Sequence, residues 1–316
     1  MSLNFTHHNS PRHRHVRTST STNTELMHAL QNGSLDTRQT HLLTADIQTA
    51  GRGQRGRSWQ SPAGNVYLSL YHPMTQPLSG MLSLMVGYQV MQLPLLQRLN
   101  QGLATANLPL VGVKWANDIG FYKQNLQGAD ANFFYKLSGI LIEPVLINGK
   151  LQGVIVGLGL NVDAPPILDD AKQEGMGYQA VGLAELAKQV AIPLTIHPSE
   201  LYAPLASRIC HAIAQFEQMK TDAFLAHQFM EKFADVDILQ GKIIRVENDR
   251  LSSLNVLDSL NINQTIYEVL GIALDGGLRL QNVETSDSEQ VIYTGKIDVV
   301  SNCPKIPVNF SIKPHL

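Results

Sequence analysis

Seven consecutive residues, 51–57, hold three glycines and three arginines, and Trp59 stands two places further on. Glycine lets successive backbone N–H groups turn toward one anion and keeps side chains out of its path. Arginine adds planar forks of donors that match carboxylate or phosphate oxygens two at a time. Such a loop can hold a carboxylate against a phosphate while charge builds between them. Alone, the motif reads as a ligand loop, a nucleic-acid contact or an exposed turn, and composition does not separate the three.

Three later segments carry compatible chemistry. Lys114-Trp115-Ala116-Asn117-Asp118 joins two cation-and-carboxylate partners across a short turn. Lys136 stands before the apolar run Leu137-Ser138-Gly139-Ile140-Leu141-Ile142, which ends at Glu143. A lysine there can place its ammonium between two anions and relieve their repulsion, although a solvated lysine at the start of a strand has the same signature. Asp118, just after an apolar strand-like run, reads as a turn residue. Gly157-Leu158-Gly159-Leu160-Asn161 lacks the third glycine and the following helix of a dinucleotide fingerprint. No Walker loop, G-x-S-x-G or H-E-x-x-H occurs, which removes the commonest nucleotide, hydrolase and zinc-protease readings.

Taken in order, these segments resemble the biotin protein ligases. That family's pattern runs STN, Q-x-x-GRGRxGRxW-x-SP-x-G, KWPND, K-L-x-G-I-L-x-E and G-x-G-x-N, and this chain matches it between Ser21 and Asn161. The resemblance implies an α+β fold: a mixed sheet with helices, like the class II synthetases, then a small SH3-like β-barrel. It implies a ligase that joins biotin to ATP as biotinyl-5′-adenylate and passes it to a lysine of a biotin carboxyl carrier protein, such as that of acetyl-CoA carboxylase, with Mg²⁺ present. By motif, Ser21, Thr22 and Asn23 would meet the ureido head of biotin, and Gln48, Gly51, Arg52 and Gly53 would line its pocket. Gln54, Arg55 and Arg57 would lie near the phosphates, with Arg52 and Arg57 assisting Lys136 in catalysis. Lys114, Asn117, Gly139 and Asn161 would serve the nucleotide, and Asp118 would hold the metal. Trp59 and Trp115 are read as packing anchors. A lipoate or other short-carboxylate ligase, and a biotin-sensing protein without efficient transfer, are the competing readings.

Four departures stand out. Gln54 replaces an arginine of the family pattern, which puts retention of the adenylate in doubt. Ala116 replaces a proline and frees one backbone torsion. The stretch 119–135 is longer than usual and reads as a surface hairpin insertion, while Lys296 stands where relatives usually carry glutamate.

The elements that must position these residues follow from periodicity. Ser21 or Thr22 with Glu25 reads as a capping box opening a helix over 24–30. Strands are expected over 42–47, 65–71, 111–115, 138–143 and 151–162, with Asn148-Gly149 turning between the last two. A long helix over 79–103 should kink or divide at Pro94, and helical spacing returns over 180–191 and 199–233. After Asp237 short strands follow at 242–247, 265–274, 277–282 and 290–300, with Asp275-Gly276-Gly277 as a hairpin turn. We therefore expect a polar tail over 1–17, a catalytic domain over 18–238 and a small barrel over 239–316.

Composition sets the outer limits. With 316 residues, 44% hydrophobic and 16% charged, the chain suits one large soluble domain plus a small one. A net charge of −2 argues against general nucleic-acid binding, and no helix-turn-helix segment fits before residue 20. Cys210 and Cys303 form no paired motif, which suits a reducing compartment. The best apolar window, 81–96, is broken by Ser83, Gln89, Gln92 and Pro94, so a cytoplasmic location without membrane contact is expected. His7, His8, His13 and His15 mark the tail as histidine-rich, with metal binding the lesser reading. Relatives are monomers or dimers, and no self-complementary patch in the sequence decides between them.

Overall fold

The computed structural model describes residues 11–124, 132–163, 178–247, 265–285 and 289–300. The chain begins with β1 (Arg12–Ser19), α1 (Thr22–Gln31), β2 (His41–Gln48) and β3 (Val66–Pro73). Two helices follow, α2 (Met81–Met91) and α3 (Pro94–Thr105), then β4 (Gly112–Lys114), β5 (Asp118–Gln124), β6 (Asn132–Ile147) and β7 (Lys150–Leu160). These strands form one mixed sheet in the order β1-β2-β3-β7-β6-β5-β4, with β8 (Tyr178–Ala180) added parallel to β6.

The sheet is covered on both faces where it matters. In β3, Val66, Leu68 and Leu70 point to one side and Tyr67, Ser69 and Tyr71 to the other, yet all six are buried. Helix α1 covers the second side, where Leu26 and Leu30 pack with Tyr71, Val145 and Ile155. Helix α2 covers the first side. Its sequence is apolar on every face, as suits a helix enclosed by other elements, and nearly all its residues are buried. It is sandwiched by α5 (Pro198–Met219), which starts at Pro198 behind a capping box of His197 and Glu200. Short α4 (Leu183–Gln189) and α6 (Ala223–Ala234) complete the helical layer.

A second, antiparallel sheet follows: β9 (Ile243–Glu247), β10 (Ile266–Ile272), β11 (Leu278–Asn282), β12 (Glu289–Ile292) and β13 (Lys296–Val299), in the order β12-β11-β10-β9-β13. The apolar core continues into it without a break, since Leu239, Ile244, Val269, Leu278 and Leu280 belong to the same cluster as Val113 and Trp115. The Trp115 indole N–H donates to the Gly276 carbonyl at 2.9 Å, pinning one sheet to the other.

Several expectations need correction. The second sheet is open among the described residues, with β12 and β13 at its edges, and not the closed barrel that strand spacing suggested. The single strand expected over 290–300 is two, which part at Gly295 (φ 153°), run in the same sense and take opposite edges of the sheet. Residues 12–19 are a strand and not part of a mobile tail, because β1 finds a parallel partner in β2; His7 and His8 lie outside the described residues. As expected, Pro94 divides the helix over 79–103 in two, taking the first position of α3 where its missing N–H costs nothing. The capping box at α1 does not form: Ser21 is the N-cap without a side-chain bond, and Glu25 instead accepts from Ser19 Oγ (2.6 Å) and Thr20 N (3.2 Å). As expected, β5 and β6 pair antiparallel across the 119–135 insertion; residues 125–131 lie outside the described residues.

Candidate active site

A cavity of about 300 Å³ opens on the α1 side of the sheet, within the usual size range for a small-molecule site. Its floor is the β6–β7 pair, where glycine replaces side chains at the points of closest approach. Gly139 and Gly159 face each other across the two strands, and a Cβ on either would strike the Trp59 ring at 2.9 or 2.6 Å. A Cβ on Gly157 would meet Asn23 Oδ1 at 2.2 Å. The glycines thus let Asn23 and Trp59 lie flat on the sheet, one behind the other.

At the α1 end, a network of uncharged groups is already assembled. Gln48 Oε1 accepts from the Thr22 backbone N–H (2.9 Å) and hydroxyl (3.1 Å), while Gln48 Nε2 donates to Ser61 Oγ (2.9 Å). Ser69 Oγ lies 2.7 Å from Thr22 Oγ1 and 2.5 Å from Asn23 Oδ1, with one hydroxyl proton to share. Asn23 Nδ2 donates to Glu143 Oε2 (2.8 Å), and Glu143 Oε1 is paired with Arg52 Nη2 (2.8 Å). Arg52 also reaches Thr24 Oγ1. This arginine therefore closes the uncharged end as the partner of Glu143.

Beyond Trp59 the cavity becomes ionic. The Lys136 ammonium lies 5.1 Å from the Trp59 ring centre and 5.3 Å from that of Tyr178. Its Nζ is 2.7 Å from Asp118 Oδ1, an ion pair without an aligned hydrogen bond, since Oδ1 has no hydrogen-bond partner. Asp118 opens β5 opposite Lys114, and residues 115–117 make the turn between β4 and β5. Asn117 locks that turn, its Nδ2 donating to the Ile140 carbonyl (2.9 Å) while Ile140 N–H donates back to the Asn117 carbonyl. Lys114 packs over Phe134 at 4.5 Å and Tyr122 at 5.8 Å. Burial holds its ammonium below the ordinary lysine range; Asp118 and Asp298 oppose that shift, while Lys136 and Arg57 add to it.

The structure brings together Ser21, Thr22, Asn23, Gln48, Arg52, Gly53, Gln54, Arg55, Arg57, Lys114, Asn117, Asp118, Lys136 and Gly139 around this one cavity. Two expected members do not line it. Gly51 is buried beneath Trp59, whose N–H donates to the Gly51 carbonyl at 2.8 Å, leaving no room for a Cβ. Asn161 is buried behind Lys136, donating from Nδ2 to the Lys136 carbonyl (3.3 Å) and from its N–H to the Leu137 carbonyl. It braces the strand that carries Lys136.

Some lining residues, and two residues that brace the lining from behind, Ser69 and Glu143, were not foreseen. Ser69 is signalled in the sequence as the one aliphatic hydroxyl in β3. Glu143 ends a quoted motif, and strand parity puts it on the same side as Leu141, where Asn23 Nδ2 also finds the carbonyl. Tyr293, Lys296 and Asp298 come from the second sheet and line the cavity through a fold contact that no local pattern announces.

Residues 16–161 match the biotin/lipoate A/B protein ligase family. The bifunctional ligase/repressor BirA of Escherichia coli (strain K12) is 29% identical over 174 residues, covering 52% of this chain and 49% of that protein. BirA of Bacillus subtilis (strain 168) is 28% identical over 262 residues, covering 82% and 66%. The biotin–[acetyl-CoA-carboxylase] ligase of Paracoccus denitrificans is 35% identical over 119 residues, covering 38% and 43%. The chain thus spans about half the length of the first curated relatives it matches. Among solved structures, biotin protein ligase from Aquifex aeolicus in complex with biotin and ATP superposes with a TM-score of 0.59 at 20% identity, covering 91% of this chain and 98% of that one. At that identity the likeness concerns the fold, and the sequence match carries the kinship: residues 16–161 form a domain that matches the biotin/lipoate A/B protein ligase family.

Proposed function

We propose that the protein activates biotin with ATP and transfers it to a lysine of a biotin carboxyl carrier protein. The observation that carries this reading is the single cavity with an uncharged, donor-and-acceptor end and an ionic centre, joined along β6. Asn23 bonds at Leu141 and Lys136 lies five residues back, about 16 Å at the rise of an extended strand. That separation suits a substrate with a polar head, an apolar chain and a reacting carboxylate.

Counting bonds sharpens the head group. Asn23 Nδ2 donates twice, to Glu143 and Leu141, leaving a lone pair on Oδ1; Gln48 Oε1 accepts twice, leaving one proton on Nε2. With the buried Ser21 hydroxyl, the end offers both acceptor and donor capacity. A ureido group, one carbonyl flanked by two N–H groups, matches this. The apolar dithiolane of lipoate would leave these groups unpaired, at a cost of about 1–3 kcal/mol each.

In the first half-reaction the biotin carboxylate attacks the α-phosphate of ATP and pyrophosphate leaves. Both reactants are anions, so the protein's contribution is orientation and cancellation of charge. Lys136 would supply the cation at the meeting point, held by Asp118 and by the rings of Trp59 and Tyr178. Arg57 would assist from the loop; Arg52, tied to Glu143, would act by fixing the pocket wall. Asn161 would act through the strand carrying Lys136 rather than on adenine. In the second half-reaction an acceptor lysine amine attacks the mixed anhydride and AMP leaves, with no enzyme nucleophile required.

Mg²⁺ would arrive with ATP. The described residues hold no cluster of three metal-ligating side chains, so a dedicated protein cage is absent among them, but one carboxylate with phosphate oxygens and water suits this ion. Asp118 would be that carboxylate, and the ion would neutralise phosphate charge. Incubation of the purified protein with biotin, ATP, Mg²⁺ and a biotin acceptor domain tests the reading. Labelled acceptor and released pyrophosphate are expected; neither product in that mixture would remove the proposal.

A further inference from the structure

Glu143 stands in β6 behind the uncharged end of the cavity, its side chain 19% exposed. Two donors from distant parts of the chain converge on it. Asn23 Nδ2 of α1 donates to Oε2 at 2.8 Å, and Arg52 Nη2 of the glycine-arginine loop donates to Oε1 at 2.8 Å. Arg52 Nη1 adds longer bonds to Oε2 (3.4 Å) and to Thr24 Oγ1 (3.3 Å). A guanidinium has no acceptor, and the NH₂ end of an amide has none either, so both oxygens of Glu143 must accept.

The Asn23 amide could stand either way round by shape alone, since its oxygen and nitrogen are nearly the same size. Its neighbours decide. On the β6 side stand the Glu143 carboxylate, paired with Arg52, and the Leu141 carbonyl, both acceptors only, so the NH₂ end must face them. On the other side stands the Ser69 hydroxyl, which can donate or accept and so tolerates either end. Glu143 is therefore the charged member of the set that fixes the choice. Oδ1 is left over Gly157, 2.2 Å from where a Cβ would stand, and both residues line the cavity. Turned round, the same amide would show the cavity N–H donors in place of an acceptor lone pair.

We propose that Glu143 is a positioning residue that selects the ureido head of biotin, by holding the Asn23 amide with its acceptor oxygen toward the ligand. The inference rests on the biotin-activating reading above and assigns its head-group choice to a residue that does not itself line the cavity. Only a carboxylate can do this. A glutamine here offers one oxygen for two donors. With that oxygen on Arg52, its NH₂ faces Asn23 and favours the reversed amide; with it on Asn23, its NH₂ faces Arg52 and the loop loses its tie.

The test measures dissociation constants of the full chain for biotin and for its two cyclic carbamate analogues, in each of which a ring oxygen replaces one ureido N–H. The unmodified protein should prefer biotin about thirtyfold over the analogue that lacks the N–H facing Asn23. In Glu143→Gln biotin should weaken about tenfold and that preference should fall to about threefold or less. Arg52→Gln frees the loop but leaves the carboxylate to Asn23, so it should weaken all three ligands in proportion and keep the preference. A merely structural defect would not separate the two variants in this way. Should Glu143→Gln fail to fold, Ser69→Ala decides: a kept preference supports Glu143 as the residue that sets the amide, and a lost one overturns it. A preference kept in Glu143→Gln, or lost equally in Arg52→Gln, overturns the inference and leaves the biotin-activating reading standing. Failure of the unmodified protein to bind biotin overturns both.

Discussion

At the α1 end of the cavity, Thr22, Asn23, Gln48 and Ser69 hold one another through neutral hydrogen bonds; at the far end, Lys114, Lys136 and Asp118 crowd together as ions. The first end is finished before any ligand arrives, and its remaining valences prescribe a ligand's hydrogen-bond pattern. The second end is in tension: Lys114 is buried with cationic neighbours, and desolvation together with Lys136 and Arg57 disfavours its charge. A neutral, satisfied site confers selectivity, because a wrong ligand leaves polar groups unpaired. An ionic, under-compensated site stabilises charge that appears only with the reactants.

If the ends have these separate roles, substitutions should separate them kinetically. The largest effect is expected at Lys136. Lys136→Ala should lower biotin-dependent pyrophosphate exchange about a thousandfold, the upper range for one preorganised charge-stabilising group, while the melting temperature stays close to that of the parent. Exchange within about tenfold of the parent would remove Lys136 from the chemistry. Next comes Asn23→Ala, which deletes an acceptor and the partner of Ser69 and Glu143. Its KM for biotin should rise about thirtyfold with KM for ATP nearly constant, since roughly 2 kcal/mol is lost at one end alone. A parallel rise in both constants would show that the two ends are not independent.

Much of this site was legible in the sequence because its parts are local. The loop over 51–57, the turn over 115–117 and Lys136 each sit in a short segment whose glycines, lysines and carboxylates announce themselves. The Asn148-Gly149 turn legible in the sequence closes the β6–β7 hairpin, and a one-residue register shift between Val145 and Leu146 then sets Gly139 beside Gly159. Three things were hidden. Arg52 and Glu143 are 91 residues apart, so nothing local shows that the arginine is claimed by a carboxylate. Asn161 sits in a motif, but its burial behind Lys136 depends on β7 ending there and the chain passing on to α4. The open second sheet and its contribution to the cavity depend on how two sheets meet, through single contacts such as Trp115 to Gly276.

The smallest predicted effect tests that meeting point. Between α6 and β9, the backbone of residues 236–238 pairs with Val113: Val113 N–H donates to the Val236 carbonyl, and Ile238 N–H donates to the Val113 carbonyl. Gly112 permits this approach, since a Cβ there would stand 2.4 Å from the Val236 carbonyl oxygen. Asp237 lies within the splice with Oδ1 accepting from Leu239 N–H (2.9 Å) and Oδ2 buried without a partner. Burial pushes its carboxyl up to about 6, against the opposing pull of the Leu239 and Gln240 N–H groups. A carboxyl raised in the folded state binds its proton more tightly there than in the unfolded chain. Its contribution to stability is therefore greatest at low pH and declines as pH rises from about 4 through about 6, then stays level. The decline should amount to about 1–2 kcal/mol after allowance for partial solvent access. Asp237→Asn keeps the acceptor for Leu239 and cannot ionise, so its stability, measured by urea unfolding across pH 4–8, should lack this step. If parent and variant trace the same pH profile, the carboxyl does not strain the splice, and the junction carrying Lys296 to the ionic end is electrostatically neutral to the fold.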